Sequence, residues 1–225
     1  FPESKPGYEV HSFYDGNLYC SESNKAICFS KENGIQEVEL PSAVSNVEFS
    51  DNHGTPLAFA EDGIYAIREE ATKVFDISKD SRGPIYYGKI YEGGENAILV
   101  RKEGITLINL ETEESKVVDE ISGKILAIAV RGDNKFIALS TETMLFTIST
   151  ESGEIHGKTE APEITNLSWS PRLTWLAGIC SNKINFYEKN TEFRTSIELE
   201  KEQKFISYSN DSDVLATVDV DGVIH

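Results

Sequence analysis

The sequence predicts an all-β fold from three observations. Short runs rich in β-branched, aromatic and aliphatic residues alternate with turn-forming pairs such as Asp62-Gly63 and Asp221-Gly222. No segment places apolar residues at helical spacing over a dozen positions, so no helix is predicted. The strand-like runs also recur along the chain at a nearly constant interval, which is typical of a repeat architecture.

The interval is clearest at the centre of the second predicted strand of each repeat. The residues that align there are Tyr19, Ala58, Leu99, Ala138, Ala177 and Ala216, separated by 39, 41, 39, 39 and 39 positions. Six copies at so even a spacing indicate one structural unit repeated along the whole chain.

The stretch Pro162–Asn190 represents this unit. It predicts strands over Ile164–Trp169, Thr174–Ile179 and Ile184–Glu188, and a more polar fourth strand follows at Thr195–Leu199. The corresponding fourth strands of the other units are Ile35–Leu40, Lys73–Ile77, Ser115–Val118 and Glu154–Lys158. Four antiparallel strands in about 40 residues form a blade of a β-propeller.

We therefore expect a single β-propeller domain over residues 1–225. The approximate blades are residues 8–41, 42–80, 81–121, 122–161, 162–202 and, in part, 203–225. About five and a half four-stranded blades are thus visible, and we expect a ring that missing residues or another chain would complete. The segment Phe1–Gly7 is too rich in proline and glycine to supply a strand, whereas Tyr8–Tyr14 is predicted as the first strand.

Composition narrows the classes of partner. The 225 residues carry a formal charge of −17, from 38 acidic and 21 basic side chains, which disfavours direct binding to phosphate backbones and attracts basic proteins. The same acidity can serve solubility alone. No apolar run reaches the length of a membrane helix. Three cysteines without a paired spacing favour a reducing compartment, cytoplasmic or nuclear.

No recognisable catalytic, cofactor or metal site is predicted. The histidines at 11, 53, 156 and 225 have no ligand spacing, and nucleophile-elbow and phosphate-loop motifs are absent from the sequence. The segment Asp219–Gly222 resembles the opening of a calcium loop but is better explained as a tight turn.

The candidate partner contacts are therefore surface residues. Glu111, Glu113 and Glu114 form an acidic turn that could dock a basic tail or simply be solvated. Arg172 lies on a predicted turn near Trp175 and is a candidate exposed contact. The aromatic residues at strand positions can anchor a partner but more often pack inside or between blades; they are Trp169, Trp175, Tyr86, Tyr87 and Tyr208.

Parts of the chain resemble the WD-repeat family. Gly104–Glu114 is similar to the third strand and following turn of a WD repeat, with Ile108-Asn109 at the position of the Trp-Asp pair, and Ser168–Pro171 is similar to the end of a first strand. Trp-Asp and Gly-His pairs are absent from the sequence, so we do not expect the hydrogen-bond relay that those residues build in the family.

The resemblance implies a non-enzymatic protein–protein interaction scaffold, a subunit of a larger cytoplasmic or nuclear complex. Three alternatives remain open. They are an acidic chaperone or escort of a basic protein such as a histone or ribosomal protein, a propeller like that of translation initiation factor 2A, and, in a different class, a propeller hydrolase with its residues in the central channel.

Overall fold

A computed structural model describes residues 9–31, 34–50, 54–77, 83–101, 104–209 and 214–225. These residues form strands and turns, with one short 3-10 turn at Glu92–Gly94. The chain divides into two compact units, Phe1–Ile121 and Ser122–His225. No helix among the described residues is both long and apolar enough to cross a membrane.

The first unit contains three four-stranded antiparallel sheets, each connected in simple chain order. Sheet 1 comprises β1 (Glu9–Tyr14), β2 (Asn17–Glu22), β3 (Lys25–Ser30) and β4 (Gly34–Glu39). Sheet 2 comprises β5 (Val44–Ser50), β6 (Thr55–Ala60), β7 (Gly63–Ile67) and β8 (Ala71–Asp76). Sheet 3 comprises β9 (Tyr87–Tyr91), β10 (Asn96–Arg101), β11 (Gly104–Asn109) and β12 (Ser115–Val118).

The second unit continues the pattern with two four-stranded sheets and a two-stranded one. Sheet 4 comprises β13 (Ile125–Val130), β14 (Phe136–Thr141), β15 (Met144–Ser149) and β16 (Ile155–Glu160). Sheet 5 comprises β17 (Asn166–Trp169), β18 (Trp175–Cys180), β19 (Lys183–Glu188) and β20 (Phe193–Glu198). Sheet 6 comprises β21 (Gln203–Tyr208) and β22 (Leu215–Asp219), with one further bridge between Val218 and Ile224.

The predicted fold class is confirmed: the chain is all-β and built of antiparallel propeller blades, and the described residues form five blades of four strands and a partial sixth. The strand bounds differ in detail. Ile164 and Thr174 lie in the connections rather than in β17 and β18, and the first strand of sheet 3, β9, had not been predicted. Segment Phe1–Gly7 lies outside the described residues.

The core lies between the sheets of each unit and is formed mainly by their second and third strands. The aligned residues at the centres of β2, β6, β10, β14 and β18 are all buried, whereas Ala216 is exposed in the two-stranded sheet 6. Neighbouring sheets are also joined by hydrogen bonds between residues about one repeat apart. The Trp169 indole, for example, donates to the Ala129 carbonyl at 3.2 Å. The burial of the apolar side chains between the sheets is the main favourable contribution to folding.

Candidate partner-binding surface

The turn between β11 and β12 carries the three glutamates predicted as partner contacts, and Asn109 fixes its backbone. The Asn109 side-chain oxygen accepts hydrogen bonds from the amides of Glu111 (3.1 Å) and Thr112 (2.8 Å). The Asn109 amide in turn donates to the Glu114 carbonyl at 2.9 Å. Asparagine favours such turns because its short side chain reproduces a backbone acceptor. The turn is therefore preorganised.

The side chains of Glu111, Glu113 and Glu114 all point to solvent. None of them forms an ion pair or a side-chain hydrogen bond with any residue that the structure describes. Residues 111–120 (ETEESKVVDE) contain five carboxylates and a single lysine. We call Glu111, Glu113 and Glu114 the acidic turn. It presents three exposed negative charges on a fixed backbone.

A groove of about 330 Å³ lies beside the acidic turn, between Glu113 and strand β8. Lys73 lines this groove but does not neutralise Glu113, because its ammonium group lies 2.5 Å from an Asp62 oxygen and 3.4 Å from Asp76. Asp62 is the centre of a separate network and also accepts from the Tyr65 hydroxyl at 2.6 Å and from Ser42. The Asp62 carboxylate is therefore already hydrogen-bonded and ion-paired within the protein, whereas the Glu113 carboxylate has no such partner among the described residues.

The network shifts the titration of Asp62. Partial burial alone would raise the pKa of Asp62, but hydrogen bonds from Lys73, Ser42 and Tyr65 outweigh it and lower the pKa to about 2. The hydrogen bond to Asp62 raises the pKa of Lys73 above its usual value. Both groups therefore stay charged at neutral pH.

Arg172 lies on the connection between β17 and β18 in the second unit, and Trp175 is the first residue of β18. Ser170 fixes this connection: its hydroxyl accepts from the Trp175 amide at 3.1 Å, and its carbonyl accepts from the Leu173 amide at 2.9 Å. Both Arg172 and Trp175 are exposed. The structure thus brings these two candidates together on one hairpin, and the acidic turn belongs to the other unit. Their contact with a partner stays a prediction.

The expectation that aromatic residues at strand positions pack inside is only partly right. It is confirmed for Trp169, which is buried, but it is wrong for Trp175, Tyr86 and Tyr87, whose exposed fractions are 40%, 53% and 37%. Trp169 packs in the core of the second unit, where its indole donates to the Ala129 carbonyl of sheet 4. Tyr208 is half-buried.

The Asp219–Gly222 segment is a tight turn, as predicted. The Asp219 carboxylate accepts from the amides of Asp221 and Val223, each at 2.9 Å, and His225 Nε2 lies 3.0 Å from its other oxygen. The hydrogen bond with His225 and the two backbone amides hold the pKa of Asp219 below its usual value. The Asp219 oxygens are therefore already engaged within the turn.

The remaining titratable candidates are scattered. No group of three His, Cys, Asp or Glu side chains within the described ranges is placed to bind a metal ion. His53 and the side chain of His11 lie outside the described residues. Cys20 is buried as expected, but Cys28 and Cys180 are only half-buried. Burial raises the pKa of all three thiols, so they stay protonated.

Comparison with known proteins gives a family and a fold. The family described as the ELP1 first N-terminal beta-propeller matches residues 93–224. Sqt1 of Saccharomyces cerevisiae is structurally similar, with a TM-score of 0.73 and 14% identity over 93% of this chain and 67% of that chain. Hydrazine synthase of Kuenenia stuttgartiensis is also structurally similar, with a TM-score of 0.70 and 12% identity over 93% of this chain and 79% of that chain. No curated protein matches by sequence. At such low identity, the two structures show the fold alone.

Proposed function

Because the chain belongs to the family of the ELP1 first N-terminal β-propeller, we propose that it is a non-enzymatic protein–protein interaction scaffold. In this proposal the chain is a subunit of a larger assembly in the cytoplasm or nucleus, which three free thiols support. The rigid sheets hold turns in fixed positions, and turns held on a rigid scaffold commonly carry binding.

The observation that carries this proposal is the acidic turn. Its three carboxylates are exposed, unpaired among the described residues and held by the Asn109 side chain. A fixed cluster of unpaired charge attracts a segment of opposite charge and loses little conformational entropy on binding. The partner of this turn is therefore a basic segment of another protein, which includes an escort role for a histone-like or ribosomal protein as a narrower form.

The experiment measures the affinity of the full chain for a fluorescein-labelled peptide of alternating lysine and threonine, at low and at moderate salt. The variant Glu113→Gln/Glu114→Gln removes two charges from the acidic turn. We expect it to weaken binding by about tenfold at low salt, since two exposed charge pairs contribute roughly 1–1.5 kcal/mol. Added salt should reduce the difference in affinity between the wild type and the variant, because salt screens exposed charges.

The matched control is Glu188→Gln/Glu192→Gln, which removes the same charge from the turn between β19 and β20. There Arg194 already contacts both carboxylates, at 2.7 and 3.2 Å. We expect this control to change the affinity by less than about twofold. An equal loss in the two variants would show that the peptide senses only net charge and would overturn the assignment of the acidic turn.

A further inference from the structure

A second surface of different chemistry lies within the second unit. A cleft of about 570 Å³ runs beside β19 and is bounded by Glu160 and Pro162. Its floor is one face of the β19–β20 hairpin, where Asn185 pairs across the strands with Ser196, and Tyr187 with Phe193. Alternate residues of a strand share a face, so Lys183 joins Asn185 and Tyr187 there. We call this cleft the β19 groove.

The lining of the β19 groove contains a polar atom that no described residue binds. Asn185 is 7% exposed, and its amide nitrogen donates to the Tyr187 hydroxyl at 3.3 Å. The Asn185 side-chain oxygen accepts no hydrogen bond from any residue in the described part of the chain. This oxygen is not one of the fully buried side-chain atoms that lack a partner, so it is accessible to solvent within the groove. The groove therefore offers an acceptor to a ligand.

A hydrogen-bond donor lies next to that acceptor. The Tyr187 hydroxyl accepts from Asn185 and donates to no residue that the structure describes. Burial raises the pKa of Tyr187, so the hydroxyl keeps its proton. An acceptor and a donor side by side complement the N–H and C=O groups of an extended peptide.

The first unit shows how an asparagine of this fold binds a peptide group. Asn46 is 1% exposed, and its amide nitrogen donates to the Gly88 carbonyl at 2.6 Å. The Gly88 amide donates back to the Asn46 side-chain oxygen at 3.0 Å. Asn46 thus holds the main chain of a neighbouring strand by both polar atoms. Asn185 is also buried, and its oxygen has no such strand to hold.

The two ends of the β19 groove differ in character. At one end Phe193 is 53% exposed and meets the Tyr187 ring edge-on at 5.8 Å. At the other end of β19, Lys183 lies 3.7 Å from Glu198. The exposed Glu160 carboxylate also lines the groove and has no ion pair among the described residues. Four residue steps separate Lys183 from Tyr187, or about 13 Å of extended strand. An occupant therefore needs an apolar side chain and a basic one about four residues apart.

We propose that the β19 groove binds an extended peptide segment of a partner protein, whose main chain pairs with Asn185 and Tyr187. Its apolar side chain packs on Phe193, and its lysine or arginine meets Glu160. This inference rests on the proposed function as an interaction scaffold but uses a surface separate from the acidic turn. Loss of binding at either surface alone leaves the other interpretation intact.

The experiment screens the full chain against a synthetic library of acetylated peptides with Leu and Arg four positions apart and varied residues between them. The variant Ser196→Trp fills the groove from an exposed position. Its matched control is Thr195→Trp, also exposed but on the opposite face of β20. We expect selected peptides to bind the wild type and the control alike and to bind Ser196→Trp at least about tenfold more weakly.

A milder pair tests the apolar end. Phe193→Ala should weaken the same peptides by about tenfold, whereas Ile197→Ala, an exposed apolar residue of the same strand that does not line the groove, should not. N-methylation of the central peptide amides should weaken binding to the wild type and have little effect on Asn185→Leu. Circular dichroism checks the fold of each variant.

A chemical readout locates the peptide. Cys180 lines the β19 groove, whereas Cys28 belongs to the first unit, so a bound peptide should slow alkylation of Cys180 and not of Cys28. The Glu113→Gln/Glu114→Gln variant should bind these peptides with at most about a twofold change.

Three outcomes would overturn the proposal: selected peptides that bind Ser196→Trp as well as the wild type, a library that yields no binder, or self-association that Ser196→Trp abolishes. The last would identify a second copy of the chain as the occupant.

Discussion

Two turns of the molecule place glutamates in opposite electrostatic environments. Both connect the third and fourth strands of a sheet, the acidic turn in sheet 3 and the Lys189–Glu192 turn in sheet 5. In sheet 5, Arg194 contacts Glu188 and Glu192, so the local charges are largely compensated. In sheet 3, no described basic residue contacts the acidic turn. Charge that the fold neutralises supports structure, whereas charge left open is available to a partner.

Two buried asparagines repeat this contrast without charge. Both polar atoms of the Asn46 side chain are bound to the main-chain N–H and C=O of Gly88, and Asn185 has an oxygen with no described partner. Glutamates are compared in the first case and asparagines in the second, and in both cases the contacts of the side chains differ. The physical rule is that a satisfied polar group contributes to stability and an open one to binding.

The largest expected effect is on Asn46. Asn46→Ala should lower the free energy of unfolding by about 2–3 kcal/mol, because it leaves the buried amide and carbonyl of Gly88 without their partner. Asn185→Ala, the matched control, should cost less than about 1 kcal/mol, since it removes a single hydrogen bond. Urea unfolding of the full chain measures both. Equal losses would break the distinction between satisfied and open asparagines.

The next effect concerns Asp62, whose carboxylate is hydrogen-bonded and ion-paired within the protein. Asp62→Asn should destabilise the chain by on the order of 1–2 kcal/mol at neutral pH. The folded pKa of about 2 lies below the unfolded value near 3.9. The stabilisation from Asp62 is therefore complete above about pH 5 and is lost as the pH falls towards 2.

The measurement is the unfolding midpoint of the wild type and of Asp62→Asn between neutral pH and pH 3. The gap between the two should shrink on acidification. Glu113→Gln, which changes an open carboxylate, should match the wild type within about 0.5 kcal/mol at each pH. A gap that stayed constant with pH would contradict a charge-dependent role for Asp62.

The smallest effect is expected when the ion pairs of Arg194 with Glu188 and Glu192 are removed. Arg194→Gln releases Glu188 and Glu192, so the lysine-threonine peptide should bind about twofold to threefold more tightly at low salt. Stability should change by less than about 1 kcal/mol, since the pairs are exposed. Lys135→Gln removes the same charge from an exposed residue of the second unit that forms no ion pair with any described residue, and it serves as the control. If both variants bound the peptide more tightly by the same factor, net charge alone would explain the difference between the two turns.

Much of the fold could be predicted because it depends on local chemistry repeated along the chain. Alternating apolar residues, turn formers and a period near 39 residues located the strands, except β9, whose short tyrosine-rich run gave a weaker pattern. The acidic turn was found as well, because Glu111–Glu114 directly follow a strand. Asn109 also had a signal in the sequence, since it occupies the position of the Trp-Asp pair in the WD repeats that this segment resembles.

The β19 groove could not be predicted in the same way. Asn185 and Phe193 look like ordinary strand residues in the sequence, and the groove exists because Glu160 and Pro162 approach them from outside the β19–β20 hairpin. The burial of Trp169 also depends on a neighbouring sheet, because its indole donates to the Ala129 carbonyl of sheet 4. Strand pattern shows which face a residue shares, but not what packs against that face.

The sequence by itself determined the repeat, the all-β class, the position of the turns and the excess of negative charge. These follow from backbone propensities and side-chain alternation, which act over a few residues. Only the tertiary structure decided which polar groups are satisfied. The partner of Asn46 lies 42 residues away, and no comparable partner reaches Asn185. Satisfaction of a buried polar group depends on packing between sheets, and that packing separates structural residues from candidates for binding.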